Sequence, residues 1–155
     1  MALLTDKDKK WMKLCEYGAE LFSTCGKRQY FACIVDAKGH VLGTGYNGGP
    51  AGLRHCVDGG CQRFKEGTPS GSSYDNCIAI HAEANALLHS DYTARMHGGT
   101  IYVNGPPCYS CAKLIANSGI KRVVYKADDN YVDWIATRSL FKSLKIEMVR
   151  VNASE

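Results

Sequence analysis

Two short segments carry side chains able to bind a metal and use it. One reads IHAEANALL, with His81 and Glu83 two residues apart; the other reads PPCYSC, with Cys108 and Cys111 in C-x-x-C spacing. Two thiolates at that spacing can reach one tetrahedral cation from a single turn, and an imidazole adds a third ligand in a set suited to zinc. A structural zinc normally takes four protein ligands, whereas a catalytic zinc keeps a position for water. Three ligands with a carboxylate beside them therefore describe a hydrolytic centre. Zinc with two thiolates is formally neutral and acidifies its water less than a three-histidine site would, so a proton-accepting carboxylate compensates. Glu83 has that place, taking a proton from water and passing it to the substrate. The competing reading is a non-catalytic, zinc-stabilised binding module with Glu83 as a solvated acid. It needs a fourth ligand that neither segment supplies.

These side chains must be positioned by elements the pattern predicts. Apolar residues at helical spacing (Trp11, Leu14, Cys15, Ala19, Phe22) predict a helix from about Asp6 to Thr24. The run YFACIVDAKGHVLGTGY reads as a hairpin turned at DAKG. A helix follows through AEANALLHS, then a strand at GTIYVNG and a helix from about Cys108 to Asn117. Pro106 and Pro107 suit its start, and its positive end favours thiolate over thiol. The strand KRVVYK, a helix near YVDWIATRSLFKSL and the strand IEMVRV close the order α-β-β-α-β-α-β-α-β. This predicts an α/β fold: a three-layer α-β-α sandwich with a five-stranded mixed sheet, parallel after its opening hairpin. Trp134, Ile135 and Leu140 are expected to pack on the sheet. We read one domain, 1–155, with 47–77 as a long loop insertion rich in Gly, Ser and Pro.

Composition sets bounds on function. The 155 residues suit one domain with a core, and 45% hydrophobic and 22% charged residues are ordinary for a globular protein. A net charge of +4 from scattered Lys and Arg argues against nucleic acid as partner and suits a small anionic substrate. No apolar run reaches membrane-span length and MALLTDKDKKWMKL lacks a secretory signal, so a cytoplasmic location is expected. Eight cysteines without an export signal argue against a disulfide framework. Cys15 and Cys33, in apolar-periodic stretches, read as buried hydrophobes. His55, Cys56, Cys61 and Cys77 are candidates for a second, closed structural zinc site, with Cys25 as a competing ligand. A labile disulfide or unpartnered loop thiols are the alternatives. A metal there would order a long polar loop.

HAE and PPCYSC together match the H-x-E…P-C-x-x-C pattern of zinc nucleobase deaminases, a signature already on record for that class. In motif and element order the chain resembles the cytidine deaminase superfamily over nearly its whole length. Within it, GTGYNGGPAGLRHC, the long insertion, HAEANALL and CAKLIANSGIKRVVY look like the deoxycytidylate deaminases. The resemblance implies conversion of dCMP to dUMP, with zinc on His81, Cys108 and Cys111 and proton transfer by Glu83. Water would attack C4 of the base after Glu83 protonates N3, and ammonia would leave. The backbone of Ala82 would contact the pyrimidine edge and Asn47 the nucleotide near its sugar; Asn47 also reads as a turn residue. Gly45, Tyr46, Asn47 and Gly48 match a loop at which relatives bind dCTP and dTTP effectors, with Mg²⁺ accompanying the nucleotide. Relatives form homo-oligomers, hexamers among them, and some carry a second zinc. Where the family has VGA on its first strand, this chain has Tyr30-Phe31-Ala32. Phenylalanine in place of glycine is expected to reshape the nucleotide pocket, which keeps a modified cytosine, a purine nucleotide, a nucleoside or a free base in play. Lys27 and Arg28, just before that strand, are candidates for the phosphate.

Overall fold

The computed structural model describes residues 3–69, 74–91, 94–128 and 134–152. Helix α1 spans Asp6–Phe22 and starts at a capping box, in which Thr5 and Asp8 satisfy each other's backbone N–H groups. Strands β1 (Phe31–Val35) and β2 (Val41–Tyr46) form the expected hairpin, turned where the Gly39 N–H donates to the Asp36 carbonyl at 3.0 Å. Then come β3 (Thr100–Val103), β4 (Arg122–Lys126) and β5 (Glu147–Val151). The sheet order is β2-β1-β3-β4-β5; β1 runs antiparallel to both neighbours, and β3, β4 and β5 are parallel.

Alternation along β1 divides the core in two. Phe31, Cys33 and Val35 join Met12, Cys15 and Ala19 of α1 on one face. Ala32 and Ile34 face the other way, onto α3 (Ala82–Leu88), α4 (Tyr109–Asn117) and α5 (Trp134–Ser143), through Ala82, Ala86, Ala112, Ile115 and Phe141. The three layers are therefore α1, the sheet, and α3-α4-α5. Cys15 and Cys33 are fully buried, and burial pushes both thiols up, that of Cys33 to about 12.

The long insertion holds a tight turn over Cys56–Gly60, the short helix α2 (Gln62–Lys65) and a 3₁₀ turn over Tyr74–Asn76. The Val57 N–H donates to the Thr24 carbonyl at 3.3 Å, tying the insertion to the segment after α1. Helices of four or five residues are too short to show a period, so Gly and Pro content hides them. Ile135 does not pack on the sheet; it is 84% exposed, while Leu140 does pack against the core.

Candidate active site

Both metal-binding segments end in a helix start. His81 is the N-cap residue of α3 and Cys108 that of α4, each with extended backbone. The two helices lie on the same face of the sheet, which brings the caps together. The Cys108 and Cys111 sulfurs lie 3.4 and 3.5 Å from His81 Nδ1. Among the described residues, this is the one group of three or more His, Cys, Asp or Glu whose ligand atoms all lie within 4.8 Å of one another.

The electrostatics fit a cation. A hydrogen bond from Cys111, then bonds from His81 and the Cys111 N–H, hold Cys108 far below the usual thiol range, although burial opposes them. Cys111 moves the other way: its proton is held toward Cys108, and burial adds to the rise. Two thiolates this close repel unless a positive ion sits between them, and an imidazole beside them completes a zinc-type donor set.

Glu83, one residue into α3 from Ala82, is 5% exposed. Burial raises its carboxyl to about 7, against the pull of the His81 charge and the Cys111 thiol. It can therefore be protonated or ionised near neutral pH. That is what a proton carrier needs.

The chain matches the model of the cytidine and deoxycytidylate deaminase zinc-binding region over residues 5–127. It belongs to that family. The deoxycytidylate deaminase of Mycobacterium phage D29 is 46% identical over 108 residues, 66% of this chain and 81% of that protein. The Schizosaccharomyces pombe deoxycytidylate deaminase is 35% identical over 79% of this chain, which spans 38% of that longer protein. Among solved structures, the dCMP deaminase of cyanophage S-TIM5 with dCMP and dUMP superposes at a TM-score of 0.73 with 25% identity, covering 97% of this chain and 100% of that one. The His81, Cys108 and Cys111 group, and Glu83 beside it, lie within the residues that the zinc-binding model matches.

The neighbouring GYNG loop serves this cluster. Gly48 forms a two-way backbone bridge with Ile80, the residue before His81, at 3.2 and 2.8 Å. Asn47 is buried, its Oδ1 accepting from the Tyr30 N–H and Ser23 hydroxyl and its Nδ2 donating to the Arg28 carbonyl. It braces the segment 23–30. A Cβ on Gly45 would stand 2.8 Å from the Asn85 carbonyl carbon, so α3 packs directly on the β2 backbone. Tyr46 stacks on Phe22 at 6.1 Å and is 41% exposed. Ala82 is the first residue of α3, where a backbone N–H has no partner within its own helix.

Other candidates are placed differently. Arg28 Nη1 donates to Asp128 at 2.5 Å and to the Tyr30 hydroxyl at 3.2 Å; Lys27 is half-buried beside it. Phe31 is not on the face of the sheet that carries the helices of His81 and Cys108. It lies on the α1 face, its ring 2.6 Å from where a Cβ on Gly18 would be and 6.4 Å from the Phe22 ring. Tyr30 is on the site side instead, a placement that the two-residue period of Ala32 and Ile34 already implied. In the insertion, all cysteines are free thiols. Cys56 faces Cys61, and burial together with that thiol, Cys25 and Cys77 pushes Cys56 up. The His55 side chain is exposed.

Proposed function

We propose that the chain is a zinc-dependent hydrolase that converts dCMP and water to dUMP and ammonia. The observation that carries the reading is the His81, Cys108 and Cys111 cluster with buried Glu83 beside it, in a chain 46% identical to a phage deoxycytidylate deaminase. His81 as neutral imidazole and Cys108 and Cys111 as thiolates would hold the ion. Bound zinc supplies a Lewis acid that makes water nucleophilic near neutral pH. Glu83 takes one proton from water and gives it to N3 as C4 becomes tetrahedral, then takes the remaining proton from the new C4 hydroxyl and gives it to the amino group, which leaves as ammonia while C4 becomes a carbonyl. The Ala82 N–H is placed to orient the pyrimidine edge. Asn47 acts on the nucleotide near its sugar through the segment it braces. Lys27 and Arg28 flank the phosphate, with Lys27 the freer of the two because Arg28 is bonded to Asp128 and Tyr30.

The test is to incubate the zinc-loaded protein with dCMP, deoxycytidine, 5-methyl-dCMP and dGMP and to measure ammonia and product. Preferred turnover of dCMP supports the reading. Turnover of none of the four, with one zinc bound per chain, favours the non-catalytic module.

Three finer readings accompany it. Residues 1–155 form one deaminase domain whose 47–77 insertion binds a second, structural zinc through His55, Cys56, Cys61 and Cys77, with Cys25 as a competing ligand; the facing of Cys56 and Cys61 supports it. Two zinc ions per chain, one of them retained when Cys108 is removed, is the expected measurement. The enzyme is a cytoplasmic homo-oligomer, with a hexamer among the expected sizes, which sedimentation checks. The loop Gly45, Tyr46, Asn47 and Gly48 responds to dCTP and dTTP with Mg²⁺; opposite shifts in dCMP saturation on adding each triphosphate test it.

A further inference from the structure

We propose that Tyr30, braced by Arg28 and Asp128, sets an upper limit on the size of the base this chain accepts; the inference rests on the deaminase reading above. Of the two aromatic residues at the start of β1, Tyr30 faces the site. It packs on the core cluster that contains Ala82 and Ala112, the residues that follow His81 and Cys111. Its ring lies against Gly105, three residues before Cys108: a Cβ on Gly105 would stand 2.9 Å from Tyr30 Cδ1. The glycine leaves room for the ring, and the ring fills the space between the start of β1 and the loop that carries a metal ligand.

A side chain that discriminates by size has to be stiff, because a ring free to swing yields to a larger substrate at little cost. Tyr30 is held at both ends. Its N–H donates to Asn47 Oδ1 at 2.8 Å and its carbonyl accepts the Asn47 N–H at 3.2 Å. Its hydroxyl accepts from Arg28 Nη1, and the same nitrogen donates to Asp128. A guanidinium with one proton on a carboxylate and another on a phenol is a clamp.

The experiment compares kcat/KM for dCMP with that for 5-methyl-dCMP and for dGMP, in zinc-loaded wild type and Tyr30→Val, with zinc content measured in both. Wild type should favour dCMP. Tyr30→Val should raise the relative rate on at least one larger base by about tenfold or more, the scale of pocket discrimination by bulk, with zinc per chain unchanged. A merely structural role would lower all three rates together and leave the ratios alone; that result overturns the proposal. Should Tyr30→Val not fold, Arg28→Met keeps the ring and removes its clamp. It must then move the same ratio in the same direction, and an unmoved ratio overturns the proposal. All three substrates carry one phosphate, so a phosphate contact by Arg28 cancels from the ratio. No turnover of dCMP by the wild type overturns the parent reading and this one with it, whereas turnover with fixed ratios overturns this one alone.

Discussion

Glu83, Cys108 and Cys111 show how far a side chain's chemistry depends on its neighbours. The two cysteines are three residues apart, yet their environments push the thiols in opposite directions, Cys108 down and Cys111 up, because each is the other's first hydrogen-bond partner. Cys108 has the further help of a helix N-cap, where it accepts the Cys111 N–H at 3.4 Å. Glu83 owes its raised carboxyl to burial, so its proton stays within reach of neutral pH. These differences separate two variants. Cys108→Ala removes a ligand and should lose both the catalytic zinc and turnover. Glu83→Ala should keep the zinc and lose turnover by at least about a hundredfold, the lower end of what a positioned acid–base group contributes. Metal analysis beside a dCMP assay distinguishes them. Zinc retention with full activity in Glu83→Ala would remove Glu83 from the mechanism.

Helix α3 carries His81 at its cap and Glu83 in its first turn, so its seat on the sheet matters more than its seven residues suggest. That seat is Gly45 on β2, where a methyl group would run into the backbone of Ala82, Asn85 and Ala86. Backbone cannot rotate away as a side chain can. Gly45→Ala should therefore cost about 1–3 kcal/mol of stability by overpacking, lower the melting temperature and weaken zinc binding as His81 shifts. A melting curve with and without added zinc checks both; an unchanged curve would mean α3 has slack at this contact. The helix starts and the C-x-x-C turn were legible in the sequence because caps and ligand spacing are local signals. The Gly45 contact was not: a glycine in GTGY reads equally well as a loop residue, and only the helix laid over it reveals the need. The same holds for Phe31. Its type flagged a departure from the family, but the face it occupies follows from its neighbours' pairing, and Gly18 on α1 is what makes space for its ring. Phe31→Leu should accordingly lower stability by about 1–2 kcal/mol through lost packing while leaving the dCMP to 5-methyl-dCMP ratio unchanged. Tyr30→Val should move that ratio.

Across the whole molecule, one ionic cluster joins the α1 layer to the sheet. Asp8, 1% exposed in the first turn of α1, accepts Arg122 Nη1 and Nη2 at 2.6 and 2.9 Å and the Tyr102 hydroxyl at 2.9 Å, while Arg122 also holds Glu147. The sequence showed a helix from about Asp6 as a local signal; the partners of Asp8 on β3 and β4 lie 94 and 114 residues away, and no local pattern announces them. Burial alone would raise the Asp8 carboxyl. The hydrogen bonds from Arg122, Thr5 and Tyr102 outweigh it and hold the group well below the usual carboxylate range. With the folded value depressed, the unfolded chain binds this proton first as pH falls. The cluster's stabilisation is therefore complete well above the unfolded value of about 4, and it shrinks progressively below that, until the folded carboxyl itself titrates. Asp8→Asn keeps the shape and some hydrogen bonds but leaves Arg122 with one carboxylate fewer. It should cost about 3 kcal/mol at pH 7, the low end for breaking a buried pair, because Arg122 retains Glu147 and is 21% exposed. The deficit should narrow as pH is lowered from 5 to 3. Asp36, likewise held low by the His40 N–H and by Arg95, keeps some acid sensitivity in the variant, so the two curves converge without becoming flat. Urea unfolding of both proteins across that pH range measures the gap, and a gap that stays constant would mean that Asp8 contributes through shape and not through charge.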